Sequence, residues 1–168
     1  MSQRGSRTRQ PLYDAQQRAR RDATAWTLVQ GVLAPLQFLV FLVSLALVLR
    51  TLASGEGAFA ANVSIVAKTG LLYAIMVTGS IWEKVVFGRY LFAPAFYWED
   101  MVSMLVLALH SLYLVALATG WLDTTGLMLL ALGAYASYAI NATQFLLKLR
   151  AARLQAGPAL HLSPEGAR

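Results

Sequence analysis

The sequence has no cysteine in its 168 residues. That excludes a disulfide framework, thiolate chemistry and cysteine-ligated zinc or iron–sulfur sites. Histidine is nearly absent as well. His110 and His161 are the only two, and His161 lies in a polar tail, so a histidine-rich metal centre cannot be built. Charged residues make up only 13% of the chain, with eight acids against fourteen basic residues. Pro35 is the only proline inside an apolar run, and no internal repeat is visible. A transporter built from inverted repeats and broken helices is therefore a poor fit.

What is present is apolar. Hydrophobic residues reach 58%, well above an ordinary soluble domain. Four runs are long enough to cross a bilayer, which takes roughly 20 residues. They span about 26–49, 62–82, 98–119 and 125–147. The links between them are short apart from 83–97, which implies an up-down bundle of antiparallel helices. The expected fold is thus all-α, an integral membrane domain over residues 13–155. Residues 1–12 and 156–168 lack an apolar period and are expected to be disordered tails. Asp14 with Gln17 has the spacing of a capping box, so a basic helical extension should precede the first span. That span is too long for a cleaved signal peptide, and no small-residue cleavage motif follows the basic region.

The net charge of +6 is concentrated outside the apolar runs. Arg4, Arg7, Arg9, Arg18, Arg20 and Arg21 precede the first run; Lys148, Arg150, Arg153 and Arg168 follow or end the last. Bracketing of this kind indicates topology, with both termini on the cytoplasmic side, and not nucleic-acid binding. Lys68 lies within a run and is expected to snorkel. Trp26, Trp82, Trp98 and Trp121 fall near helix ends, as interfacial anchors do.

A polar side chain in hydrocarbon is costly, so its position is informative. At about 100° per residue, Gln30, Gln37 and Ser44 share one face of the first span. Thr69, Tyr73, Met76, Ser80 and Glu83 form a stripe on the second. Glu99, Ser103, His110 and Tyr113 lie within about 40° of one direction on the third; Ser137, Asn141, Gln144 and Lys148 share a face of the fourth. Four inward stripes would give a polar interior open to the cytoplasmic side. Glu83, Glu99, Asp100, Asn141 and Gln144 would gather near that end, with His110 about 16 Å deeper than Glu99. Each has a plain structural explanation too. Acids in a first helical turn are favoured by the helix dipole, and buried amides often join helices.

The blocks WTLVQGVLAPLQFLVFLVSLALVLR (26–50), IWEKVVFGRYLFAPAFYWEDMVSMLVLALHSLYL (81–114) and INATQFLLKLR (140–150) resemble the 3-vinyl (bacterio)chlorophyllide hydratases of bacteriochlorophyll synthesis. The resemblance covers residues 11–155. It implies addition of water to the 3-vinyl group of chlorophyllide a, or a bacteriochlorin relative, giving a 3-(1-hydroxyethyl) group. It implies no cofactor, the magnesium being the substrate's, and a bacterial inner or intracytoplasmic photosynthetic membrane. Partners would be the chlorophyllide, the lipid bilayer, and further copies or other pigment-synthesis enzymes.

Such a hydration begins most simply with protonation of the terminal vinyl carbon, and water then attacks the ring-attached carbon. The site needs a general acid and a group to guide water. Glu83 paired with Glu99 or Asp100 is the expected acid pair, with Glu99 favoured because Asp100 points about 100° away from it. His110 is a candidate axial ligand to the substrate magnesium, oriented by Ser103 or Tyr113; alternatively it is itself the acid or base. Tyr73, Tyr97 and Trp98 are candidates to stack on the macrocycle. Asn141 and Gln144 are candidates to hold water or ring carbonyls, and Lys84 or Arg89 to pair with the substrate propionate. A non-catalytic pigment-binding or assembly subunit is the competing reading; it needs the histidine but not the acid. A generic membrane scaffold needs neither.

Overall fold

The computed structural model describes residues 12–156. The two expected tails therefore lie almost wholly outside the described residues. Five helices and no strand occur among those described: α1 (Ala15–Ala23), α2 (Ala25–Ser54), α3 (Ala58–Phe87), α4 (Tyr97–Thr119) and α5 (Thr124–Ala156). Asp14 caps α1 through the expected box, its carboxylate accepting from the Gln17 amide while Gln17 accepts from the Asp14 amide.

Helices α2 to α5 are long and apolar enough to cross a membrane. Helical geometry continues through polar residues until a glycine ends α2, α3 and α4. Thus α3 continues through Glu83 and Lys84 and stops at Gly88, whose φ of 82° suits glycine. Glu83 is consequently a helical residue one turn from the end, not the start of a loop.

The bonds between helices define the packing. Thr27 meets Trp82, Gln30 meets Thr78 and Ser44 meets Ser64, so α2 and α3 run antiparallel. Ser103 meets Asn141 and Glu99 meets Lys148, so α4 and α5 do likewise. Ser44 also bonds Tyr135, which closes α2 against α5. Helices α3 and α4 approach closely over only a short length and are bridged by long side chains, including Tyr113 to Asn62 at 2.7 Å.

The outer surface is apolar, with Leu39, Val43 and Leu146 more than 60% exposed, which suits lipid. The polar stripes turn inward, since Gln37, Ser44, Thr69, Glu83, Glu99, Ser103 and His110 are all buried. Tyr73 is the departure, facing outward and bonding Ser111 across the α3–α4 seam at 2.8 Å.

Lys68 does not snorkel. Its side chain is fully buried, and its ammonium lies 2.9 Å from His110 Nε2 and 4.0 Å from the Tyr138 ring centroid. Position 68 is ten residues, about 15 Å, from the nearer end of α3. The ring faces of Tyr138 and Tyr135 and the imidazole lone pair substitute for water.

The expected cytoplasmic placement of both termini predicts opposite labelling of single cysteines introduced into this cysteine-free chain. Glu56→Cys should react with an impermeant maleimide in intact cells, and Arg89→Cys only after permeabilisation; the reverse pattern would invert the topology. The Lys68–His110 contact predicts that His110→Ala lowers stability by about 1–3 kcal/mol, because it orphans a buried donor. Lys68→Met, which removes the charge with its need for a partner, should cost less. Thermal unfolding in detergent compares the two.

Candidate active site

The loop from Gly88 to Phe96 joins α3 to α4 and carries the least relaxed backbone among the described residues. Phe92 has φ of 58°, the only non-glycine with positive φ described. A left-handed non-glycine residue costs about 1–3 kcal/mol and persists only where its surroundings enforce it. Here the enforcement is visible. The Phe92 amide donates to Asp100 Oδ2 at 2.7 Å, and the next amide, of Ala93, donates to Glu83 Oε2 at 3.2 Å. Two consecutive backbone N–H groups therefore grip one carboxyl from α4 and one from α3.

Those two carboxyls come within hydrogen-bonding reach of each other. Both are buried, Glu83 at 5% and Asp100 at 3% exposure. Above them Ala93 is fully buried and Phe96 nearly so. Phe96 packs edge-on against Trp82 and Phe87 and stacks on Phe145. Tyr13 stacks on Phe87, which fastens α1 over the same aromatic cluster. Burial pushes the Tyr13 phenol above its ordinary value, opposed by the Arg21 guanidinium 4.8 Å over its ring.

Of the two expected pairings, the structure brings Glu83 to Asp100 and not to Glu99, the acid favoured from sequence. Glu99 does not join Glu83; it forms an ion pair with Lys148, Nζ to Oε2 at 2.6 Å. Asp100, the less favoured acid, is the one that meets Glu83. The 100° between consecutive helical residues explains both facts, because Glu99 faces α5 while Asp100 faces α3 and its loop.

A polar chain then runs inward from Glu99. Ser103 donates its hydroxyl to the Glu99 carbonyl at 2.8 Å, and Asn141 Nδ2 donates to Ser103 Oγ at 2.7 Å. Asn141 Oδ1 and Gln144 Oε1 are buried oxygens with no partner. Ser103 is thus committed to Glu99 and Asn141, and Tyr113 to Asn62; neither orients His110 as expected.

His110 is fully buried in the middle of the bundle. Its Nδ1–H donates to the Val106 carbonyl at 2.8 Å, so Nε2 carries the lone pair, and Lys68 occupies it. Nε2 is the nitrogen that the axial-ligand expectation calls on, and it accepts from Lys68 Nζ inside a packed core. The interior is filled by Lys68, Tyr113, Met128 and Tyr135, each at most 2% exposed, so the expected broad inner pocket is replaced by a packed core. One hollow of about 500 Å³ runs along α1 beside Tyr13 and Arg18, and another of about 210 Å³ lies at the far end between Thr51 and Thr124. Neither is lined by the acids.

Tyr97 and Trp98 stand 44% and 71% exposed at the start of α4, next in sequence to Glu99 and Asp100. Lys84 bonds the Gly88 carbonyl at 3.0 Å. Lys68 and Lys148 are not among the site residues expected from sequence, and Phe92 is expected only as part of an aromatic belt or platform. A signal existed for Lys148, which shares a face with Asn141 and Gln144. None existed for Phe92, whose part is played by its backbone.

A family model described as 2-vinyl bacteriochlorophyllide hydratase (BCHF) matches residues 13–151. The chain is 66% identical over 149 residues to a 2-vinyl bacteriochlorophyllide hydratase of Rhodobacter capsulatus, covering 89% of this chain and 86% of that one. It is 68% identical over 144 residues to one of Cereibacter sphaeroides, covering 85% and 89%. No solved structure matches it.

The strained loop predicts different responses at one position. Phe92→Val should destabilise by about 1–3 kcal/mol, because a β-branched residue resists φ near +60°. Phe92→Gly should lose little, since it keeps the amide and relaxes the strain. Equal thermal shifts in detergent would remove the backbone from the account.

Proposed function

The chain belongs to the 2-vinyl bacteriochlorophyllide hydratase family, and from that premise we propose that it adds water to the vinyl group of a chlorophyllide or bacteriochlorophyllide, using the Glu83–Asp100 pair as the acid. The observation that carries the assignment is the contact between these two buried carboxyls, each held by its own backbone amide. Two carboxyl groups in contact repel when both are ionised and bond when one keeps its proton. A proton is thereby retained in a dry, fixed position, as protonation of an alkene carbon requires. Glu99 is bonded to Lys148 instead of to this pair, which leaves it outside the acid role.

The reaction starts with transfer of that proton to the terminal vinyl carbon. The resulting cation at the ring-attached carbon is delocalised into the macrocycle. Water adds there, and its surplus proton returns to the carboxylate pair. Addition of water changes no overall oxidation state, so no redox cofactor is called for; the magnesium belongs to the substrate. The packed interior supports a pose in which only the vinyl arm reaches the acids. The macrocycle then lies at the bundle surface against Tyr97 and Trp98, and its propionate meets Arg89 at the interface. The position of the acids near the basic-flanked end supports a cytoplasmic site in the photosynthetic membrane.

Incubation of the purified protein with chlorophyllide a in ¹⁸O water tests the reading. The expected product carries the label in a 1-hydroxyethyl group; bound pigment without label would make the protein a non-catalytic pigment carrier. Glu83→Gln and Asp100→Asn should each lower turnover by about 10²–10⁴-fold with pigment binding retained. Glu99→Gln should lose less. The opposite ranking would return the acid role to Glu99.

A further inference from the structure

The acid pair is shut off on most sides. The loop closes its cytoplasmic side, with Ala93 fully buried. Phe96 lies over it, packed among Trp82, Phe87 and Phe145. On the α5 side Glu99 is bonded to Lys148, and further inward the core is filled around Lys68 and His110. One side is left, the lipid-facing seam between α3 and α4.

That seam is the loosest joint of the bundle. Helices α2 and α3, α4 and α5, and α2 and α5 each approach one another over a greater length than α3 and α4 do. Its register is fixed at two heights. Glu83 meets Asp100 at the loop end, and the Tyr73 hydroxyl bonds Ser111 Oγ at 2.8 Å further in. Ten residues of α3 and eleven of α4 separate the two rungs, about 15 Å along either helix. Between them Met76 and Ser80 of α3 face Met104 and Leu107 of α4. At about 100° per residue, each helix holds its rung residues and these two side chains within about 80° of arc.

All four side chains between the rungs are half-buried. Met76 and Leu107 rest on the core with one side. The Ser80 hydroxyl is taken by the Val77 carbonyl at 3.0 Å. The seam is therefore a shallow apolar trough with acids at one end and a tyrosine at the other. Methionine is unbranched and polarisable, and it adapts to the shape of an apolar partner. Tyr73 is 37% exposed. Hydrocarbon offers its hydroxyl no water; Ser111 satisfies it, and the ring is left facing outward.

Building on the hydration reading above, we infer that the trough between the Glu83–Asp100 and Tyr73–Ser111 rungs is the substrate groove. Chlorophyllide enters it sideways from the lipid and lays the vinyl-bearing edge of its macrocycle between Met76 and Met104. A flat apolar ring suits walls that offer no free hydrogen-bonding group. Tyr97 stands one turn before Asp100 on the same face of α4 as Met104, so it covers the outer part of the ring. The propionate stays toward Arg89 at the interface. A pigment dissolved in the bilayer thus reaches the acids without displacing the loop.

Two measurements on the full-length protein in detergent test the groove. Met76→Trp and Met104→Trp fill the trough, and each should weaken chlorophyllide a binding about tenfold, read from the absorbance shift of the pigment. Val43→Trp adds the same ring to the lipid face of α2, where Val43 is 62% exposed, and should leave affinity unchanged. In the second measurement, Met104→Cys and Val43→Cys are alkylated with N-ethylmaleimide, with and without chlorophyllide a. Bound pigment should slow alkylation at position 104 severalfold and leave position 43 unaltered. Unchanged affinity in both tryptophan variants would overturn the groove, as would equal alkylation of position 104 with and without bound pigment. Where a tryptophan variant does not fold, the alkylation rates decide. Protection of position 104 in a protein whose wild type forms no alcohol would keep the groove and refute hydration. Alcohol formed by the wild type with no protection would do the reverse, and a wild type that binds no pigment would end both.

Discussion

Hydrocarbon offers no hydrogen bonds, and the bundle is organised around that constraint. Every polar group that the helices carry into the bilayer must find its partner inside the protein. Lys68 finds an imidazole lone pair and aromatic faces, Tyr113 finds Asn62, and Ser44 sits between Ser64 and Tyr135. These contacts fix which faces of α2 to α5 meet, because hydrophobic burial does not discriminate among equally greasy surfaces in lipid. They also leave the core filled.

The acid end uses the same constraint for a different purpose. Ser44, Lys68 and His110 are satisfied by other side chains. Glu83 and Asp100 are held by backbone amides from a loop twisted into a left-handed turn at Phe92. Backbone amides carry no charge to neutralise a carboxyl and contribute no proton that it could take. They fix the pair in position without the full charge that a lysine in the same place would bring. Glu99 shows the contrast. Its partner is Lys148, and it lies one residue from Asp100 in sequence and on a different wall in space.

His110 and the acids therefore belong to separate systems. The histidine and Lys68 make up the middle of the core, joined to Val106 and the aromatic rings of α2 and α5. The acids, Ser103, Asn141 and Gln144 make up the end. A single inward stripe on α4 serves both, since residues eleven apart on one helical face are separated by about 16 Å.

Much of this was determined by the sequence. Apolar runs of bilayer length, basic residues outside them and one polar stripe per run are consequences of helical periodicity and transfer energy, both local properties. They yield an all-helical membrane bundle with its acids at one end, and the capping box of α1 follows from two side chains three residues apart. The tertiary structure decided the partners. Whether Glu83 meets Glu99 or Asp100 depends on the rotation of α4 against α3, and whether Lys68 snorkels or is enclosed depends on which rings α2 and α5 bring to it. Phe92 acts through an amide and a dihedral angle, neither of which depends on its being phenylalanine. Such outcomes are set by relative placement of helices and by backbone conformation, and no one-dimensional pattern of side chains encodes them directly.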